Sequence, residues 1–210
     1  MPKTVENPFA NSHKHLAKLD PRMKALIARV GPCTLEPQMD PFRILACSII
    51  SQQISTKAAA SIRGRVIGLC GRGGLRPKRL MDLKDEELRA AGLSRGKLLS
   101  MRSLSQFFLD NGSVVRQLKS MTDEEVIEAL IPIRGVGVWT AQMFLIFCLG
   151  RTDVLPTADL GFRAGVRDIY GLNDLPKAQV LEKLAEPWRP WRTVATWYFW
   201  RSRGFVPQSK

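Results

Sequence analysis

Helix start and stop signals run the length of this chain, and no strand signal competes with them. Asp20-Pro21 reads as an N-cap followed by proline at the first helical position, with Gly31 as the stop, and Asp40-Pro41 repeats the device. The second start opens a long segment carrying Ile44, Leu45, Ser48, Ile49, Ala58, Ile62 and Val66, with a break expected near Gln52 to Thr56. Gly68 to Pro77 reads as a Gly- and Arg-rich loop. Asp85 to Ala91 is a short helix closed by Gly92, and Ser94 caps a helix ending at Asn111-Gly112. Thr122 and Glu125 form a capping box for a helix to Leu130. An apolar helix then runs to Leu149, with Gly150 as its stop. Further helices are expected over Leu160–Tyr170, from Pro176 to before Pro187, and over Trp191–Arg203. No alternating apolar/polar pattern exceeds about five residues, so the expected class is all-α. Residues 1–12 are expected to be disordered.

At about 150 residues per domain, 210 residues make one domain or two small lobes. Hydrophobic residues make up 45%, enough for a core and too many for a disordered chain. The longest apolar run, Met143 to Leu149, is seven residues, against the roughly 20 a membrane helix requires. Met1 to Asp20 has no apolar core of the kind a secretory signal needs. The expectation is therefore no membrane association. Reduced cytosolic thiols follow for Cys33, Cys47, Cys70 and Cys148, whose spacing suits neither a zinc nor an iron–sulfur knuckle.

The net charge is +13, which steers a protein toward polyanions. Eight basic residues (Arg43, Lys57, Arg63, Arg65, Arg72, Arg76, Lys78, Arg79) and no acid lie between Pro41 and Met81. Such a run is often just a solvated face, but a 41-residue stretch without one carboxylate suits a phosphate-facing surface.

Ile131-Pro132-Ile133-Arg134-Gly135-Val136-Gly137-Val138-Trp139-Thr140-Ala141 joins two helices through a turn with two glycines. Glycines permit positive φ and close backbone approach, and the second helix opens with free amides, so the turn can take a phosphate. Gly-x-Gly alone would equally be a plain helical hairpin. The whole string, however, resembles the helix–hairpin–helix signature of the base-excision DNA glycosylase superfamily, with Ile133-Arg134 where many members have an apolar residue followed by proline. The resemblance implies backbone contacts to double-stranded DNA at Arg134, Gly135, Gly137, Val138 and Thr140. It also implies a sodium or potassium ion held by the carbonyls of Ile131, Ile133 and Val136.

Asp159, in Pro156-Thr157-Ala158-Asp159-Leu160-Gly161, stands where a helix begins and by itself is an ordinary N-cap. The resemblance makes it the catalytic carboxylate as well; the two roles agree, because helix-start amides favour an ionised group. Superfamily members that also cut the strand carry a lysine where this chain has Trp139, so Schiff-base chemistry is not expected. The iron–sulfur branch is excluded, because its cysteines cluster near the C-terminus.

Ser51-Gln52-Gln53-Ile54-Ser55-Thr56-Lys57 is similar to the minor-groove segment of the 3-methyladenine DNA glycosylase II family. This implies Gln53 as the wedge that fills the space of a flipped nucleotide, Gln52 on neighbouring bases, and Ser55 and Lys57 close to DNA. Trp188-Arg189-Pro190-Trp191-Arg192 is similar to that family's C-terminal run. Alkylated purines are cationic and attract indole faces. The pocket candidates are Trp191, favoured, with Trp188, Trp139, Phe42, Met143 and Phe144; Trp197 and Trp200 are read as core. Arg163 is a phosphate candidate or a solvated helix residue.

The expected architecture is two all-α lobes with a cleft between them, residues 35–150 and residues 1–34 plus 151–210, in a compact form without an additional N-terminal domain. The expected protein is a monomeric, monofunctional glycosylase for alkylated purines of the 3-methyladenine and 7-methylguanine type. It would need no cofactor for catalysis and act in the cytoplasm or nucleoid of a bacterium, or the nucleus of a eukaryote. An etheno or deaminated base as target, and a non-catalytic DNA-binding module, remain alternatives. Asp159 separates the last of these, since a carboxylate repels phosphate.

Overall fold

The computed structural model describes residues 8–9 and 12–204, which are helical with no strand among them. The helices are α1 (Ser12–Leu19), α2 (Pro21–Val30), α3 (Pro41–Ser51), α4 (Thr56–Leu69), α5 (Pro77–Asp82), α6 (Asp85–Ala90), α7 (Arg95–Asp110), α8 (Gly112–Gln117), α9 (Asp123–Leu130), α10 (Val138–Phe144), α11 (Leu160–Tyr170), α12 (Ala178–Ala185) and α13 (Arg192–Ser202). The expected caps form as bonds. Asp20 accepts from the amide of Arg22, Asp40 from Arg43, Ser94 from Lys97, and Thr122 and Glu125 bond reciprocally.

Several boundaries differ from the sequence reading. Helices α1, α5 and α8 were not expected. Pro77 starts α5 beyond the glycine cluster, and Asn111 both ends α7 and precedes α8. The apolar helix after the hairpin widens into a π-helical turn over Leu145–Leu149. The segment expected from Pro176 begins at Ala178 and continues into a 3₁₀ turn that contains Pro187. Of residues 1–12, Phe9 and Ser12 are buried, against the expectation of disorder, and 1–7, 10 and 11 lie outside the described residues.

The chain divides into two compact units, Gln38–Leu149 and Met1–Pro37 with Gly150–Lys210. In the first, α7 packs on α3 and α5. Helix α3 is apolar on all sides and buried from Ile44 to Ile50, with Phe42 edge-on to Phe108. In the second, α11 lies against α13 around an aromatic core of Phe162, Trp188 and Phe199. Tyr170 donates to Asp20, and Tyr198 to the carbonyl of Gly31, tying the N-terminal segment to the C-terminal helices. Burial pushes all four thiols up, Cys33 to about 11 and Cys148 to about 12.

Gly165 sets the distance between α11 and α13. A Cβ there would lie 2.7 Å from the carbonyl oxygen of Phe199. Gly165→Ala is expected to destabilise by about 2–3 kcal/mol, a fall of roughly 5–10 °C in Tm by circular dichroism. An unchanged melting curve would show that the two helices are not in contact at this point.

Candidate nucleic-acid interface and carboxylate site

The hairpin is built on α7. The backbone N–H of Arg134 donates to the Ser103 hydroxyl at 3.0 Å. Gly135 has φ +81°, and a Cβ at this residue would come within 2.5 Å of Ser100 Oγ. Glycine is therefore required twice over at 135, by conformation and by space. Gly137 differs: its φ is −104°, and a Cβ there would meet nothing within 4 Å. Nothing in the chain demands glycine at 137, so its missing side chain leaves open space at the start of α10, where the helix amides have no side-chain cap. Val138 and Ile131 are exposed beside it, while Ile133, Val136 and Thr140 are buried.

The 52–55 loop is anchored at each end. The ammonium of Lys97 donates to the carbonyl of Ile50 at 2.6 Å, near the negative end of the α3 dipole, and burial pulls its pKa below the ordinary value. Ser55 caps α4 by accepting from the amide of Ala58, a structural task beside the expected one at DNA. The Gln52 amide nitrogen donates to the carbonyl of Gly135 at 2.8 Å and to Thr140 Oγ1 at 3.1 Å, a task within the protein beside the expected one at neighbouring bases. Gln53 is exposed, and it alone outside glycine has positive φ (58°) among the described residues. A glutamine held in this region is uncommon and is maintained only by its surroundings.

Part of the basic stretch is bonded within the protein while staying at its surface. Arg65 donates to the carbonyl of Ala91, Arg79 to that of Cys70, and Arg76 and Lys78 pair with Asp40 and Asp82. Lys57 and Arg72 are exposed and take no part in such bonds.

In the second unit Asp159 caps α11. Its Oδ1 accepts from the backbone N–H of Phe162 at 2.6 Å and from the indole N–H of Trp200 at 2.8 Å. Two glycines allow this: Gly165 lets α13 approach, and a Cβ at Gly161 would press on the Trp200 ring at 3.3 Å. Trp200 is buried, as read from the sequence, but its polar edge serves the carboxylate, a role that reading missed. A buried indole N–H usually has a partner, but which one is not visible from spacing.

The remaining candidates separate by exposure. Trp188, Phe42, Met143 and Phe144 are buried core side chains, Trp188 against Phe162 and Phe199, so the structure does not offer them as pocket walls. Trp139 and Trp191 are half-buried, and the Trp191 backbone N–H donates to the Trp188 carbonyl. Arg163 donates through Nε to the carbonyl of Pro176, which commits one edge of its guanidinium to the protein.

The two hairpin glycines should respond differently. Gly135→Ala is expected to lower Tm by about 5–10 °C, through strain at positive φ and the clash with Ser100. Gly137→Ala should stay within about 2 °C of the parent, having no neighbour to displace. Equal melting temperatures for the two variants would contradict this assignment.

Comparison with known proteins shows the family. Residues 46–190 match the family described as HhH-GPD superfamily base excision DNA repair protein. The chain is 31% identical to the alkylbase DNA glycosidase-like protein mag2 of Schizosaccharomyces pombe, over 93% of this chain and 94% of that protein. It is 33% identical to DNA-3-methyladenine glycosylase 1 of the same yeast, over 93% and 88% of the two chains. Among solved structures, S. pombe 3-methyladenine DNA glycosylase (Mag1) in complex with abasic DNA superposes with a TM-score of 0.82 at 32% identity, over 95% of this chain and 99% of that one. DNA-3-methyladenine glycosidase from Bacillus halodurans gives 0.77 at 35%, over 93% and 90%. The chain belongs to the HhH-GPD superfamily of base excision DNA repair proteins.

Proposed function

We propose that this protein is a monofunctional DNA glycosylase. It hydrolyses the N-glycosidic bond of alkylated purines, of the 3-methyladenine and 7-methylguanine type, in double-stranded DNA and leaves an abasic site. The observation that carries this reading is Asp159, a carboxylate held by a helix-start amide and an indole N–H in a chain whose relatives are named 3-methyladenine glycosylases.

The net charge of +13 draws the protein to DNA, and the open start of α10 at Gly137 and Val138 grips a phosphate without reading sequence. The carbonyls of Ile131, Ile133 and Val136 suit a monovalent cation. They are hard oxygen donors, Ile131 stands at the C-terminal, negative end of α9, and the Ile133 carbonyl, which accepts from the Val136 amide, keeps a second lone pair. Such an ion would add positive charge beside the phosphate. Lys57 and Arg134, both exposed, reach the backbone, and Gln53 enters the duplex as the damaged nucleotide leaves it. Flipping costs a few kcal/mol, less for a damaged base.

An N3- or N7-alkylated purine is cationic and already a good leaving group, so little acid catalysis is needed. The Asp159 side chain stabilises the positive charge that develops on the sugar or orients the attacking water. Trp191 offers its indole face to the cationic base. Trp139 stands where a lysine would make a Schiff base, so the abasic product is left uncut. No described helix is long and apolar enough to cross a membrane, and the protein acts where DNA is, in the nucleoid or the nucleus.

Methylated duplex DNA incubated with the protein should release 3-methyladenine and 7-methylguanine, separable by chromatography. Release of neither base would refute the substrate assignment. Asp159→Asn should lose about 10²-fold or more in single-turnover rate, and an undiminished rate would refute the mechanism. Borohydride added during turnover should trap no covalent protein–DNA adduct; a trapped adduct would reveal an amine nucleophile. Gly137→Ala, though stably folded, should bind duplex DNA more weakly.

A further inference from the structure

We infer that Gln52 is a positioning residue that locks the 52–55 loop to the hairpin, so that Gln53 and the phosphate-gripping turn meet DNA as one rigid body. The inference rests on the DNA glycosylase reading proposed above. Its observations are the two hydrogen bonds of one side-chain amide, which span 83 and 88 residues of sequence and occupy both of its N–H groups. The amide nitrogen is thereby withdrawn from donating to bases.

Its two acceptors are themselves fixed. Gly135 lies against Ser100 at positive φ, and Thr140 is buried on α10. On the loop side, Lys97 holds the end of α3 and Ser55 the start of α4. The Ser51 hydroxyl donates to the carbonyl of Cys47. Between these anchors stands Gln53, exposed and in the left-handed region. An isolated loop would relax that conformation, and the Gln52 clamp is the bond that connects it to the hairpin. Loop and hairpin held together lose little freedom on binding, so gripping a phosphate also sets where Gln53 enters.

A double-mutant cycle tests this. Affinity is measured by fluorescence anisotropy for a duplex carrying a tetrahydrofuran abasic analogue and for the same duplex intact. The cycle comprises the parent, Gln52→Met, Gln53→Gly and the double variant. Gln53→Gly removes the wedge while suiting the positive φ. Each single substitution should lower the preference for the abasic duplex about tenfold, the scale of one or two lost hydrogen bonds or one lost stacking contact. The double variant should lose no more than either single one. Additive losses of about 100-fold, or a Gln52→Met protein with the parent's preference, overturn the inference alone. A parent with no preference overturns the DNA reading and this inference with it.

Should Gln52→Met fold poorly, Gln52→Glu keeps the shape and loses both donors. It is expected to show the same tenfold loss of preference. It should also show faster hydrogen exchange in residues 52–55 and 134–138 together, with the α7 amides unchanged. Faster exchange in only one of the two segments overturns the coupling.

Discussion

Ser100 occupies the space that a side chain at Gly135 would need, and much of the 38–149 unit follows from that contact. The same edge of α7 presents Ser103 to the amide of Arg134 and Lys97 to the end of α3. From another face of α7, Arg102 gathers the carbonyls of Leu80, Met81 and Leu83 and the carboxylate of Asp85, fixing the link between α5 and α6. A single helix thus sets the place of the hairpin, the exit from α3 and the entry to α6 through polar side chains. The apolar face of α7 (Leu98, Met101, Leu104) supplies the burial that holds it in place.

Much of the fold could be read from the sequence because helix ends leave chemical marks. Asp20, Asp40, Ser94 and Thr122 each make the capping bond their position implies, and Gly171 takes the left-handed conformation at the end of α11. Asp159 was legible for the same reason, as an N-cap. Trp200 and Gln52 were not, because their partners lie 41 residues away in one case and more than 80 in the other. Lys97, Ser100 and Ser103 were hidden differently: a polar stripe on a helix reads as a solvated face until something is seen to lie on it. The aromatic candidates show the opposite error. Trp188 stands in a string that resembles a functional one and Phe42 was a pocket candidate as an aromatic, yet their own area is spent on packing against Phe162 and Phe108.

The charge pattern required a similar correction. An acid-free run of eight cations suggested a continuous phosphate-facing surface, but α-helical ends and loops within the unit compete for those same cations. Arg65 and Arg79 satisfy carbonyls at the ends of helices, and Arg76 and Lys78 neutralise nearby carboxylates. These four side chains stay exposed, and Lys57, one residue into α4 and next to the loop that carries Gln53, joins them without such a bond. Sequence counts cations, whereas attraction to DNA depends on those not already answered within the fold.

The four raised thiols have a chemical consequence for a protein of this kind. The thiolate is the form that attacks electrophiles, and at neutral pH each of these cysteines is held as the thiol, with Cys47, Cys70 and Cys148 also shut away from solvent. The reagents that methylate purines also methylate sulfur. Burial therefore keeps these four sulfurs from offering a thiolate to such reagents, and at Cys148 the Asp40 carboxylate adds to the effect.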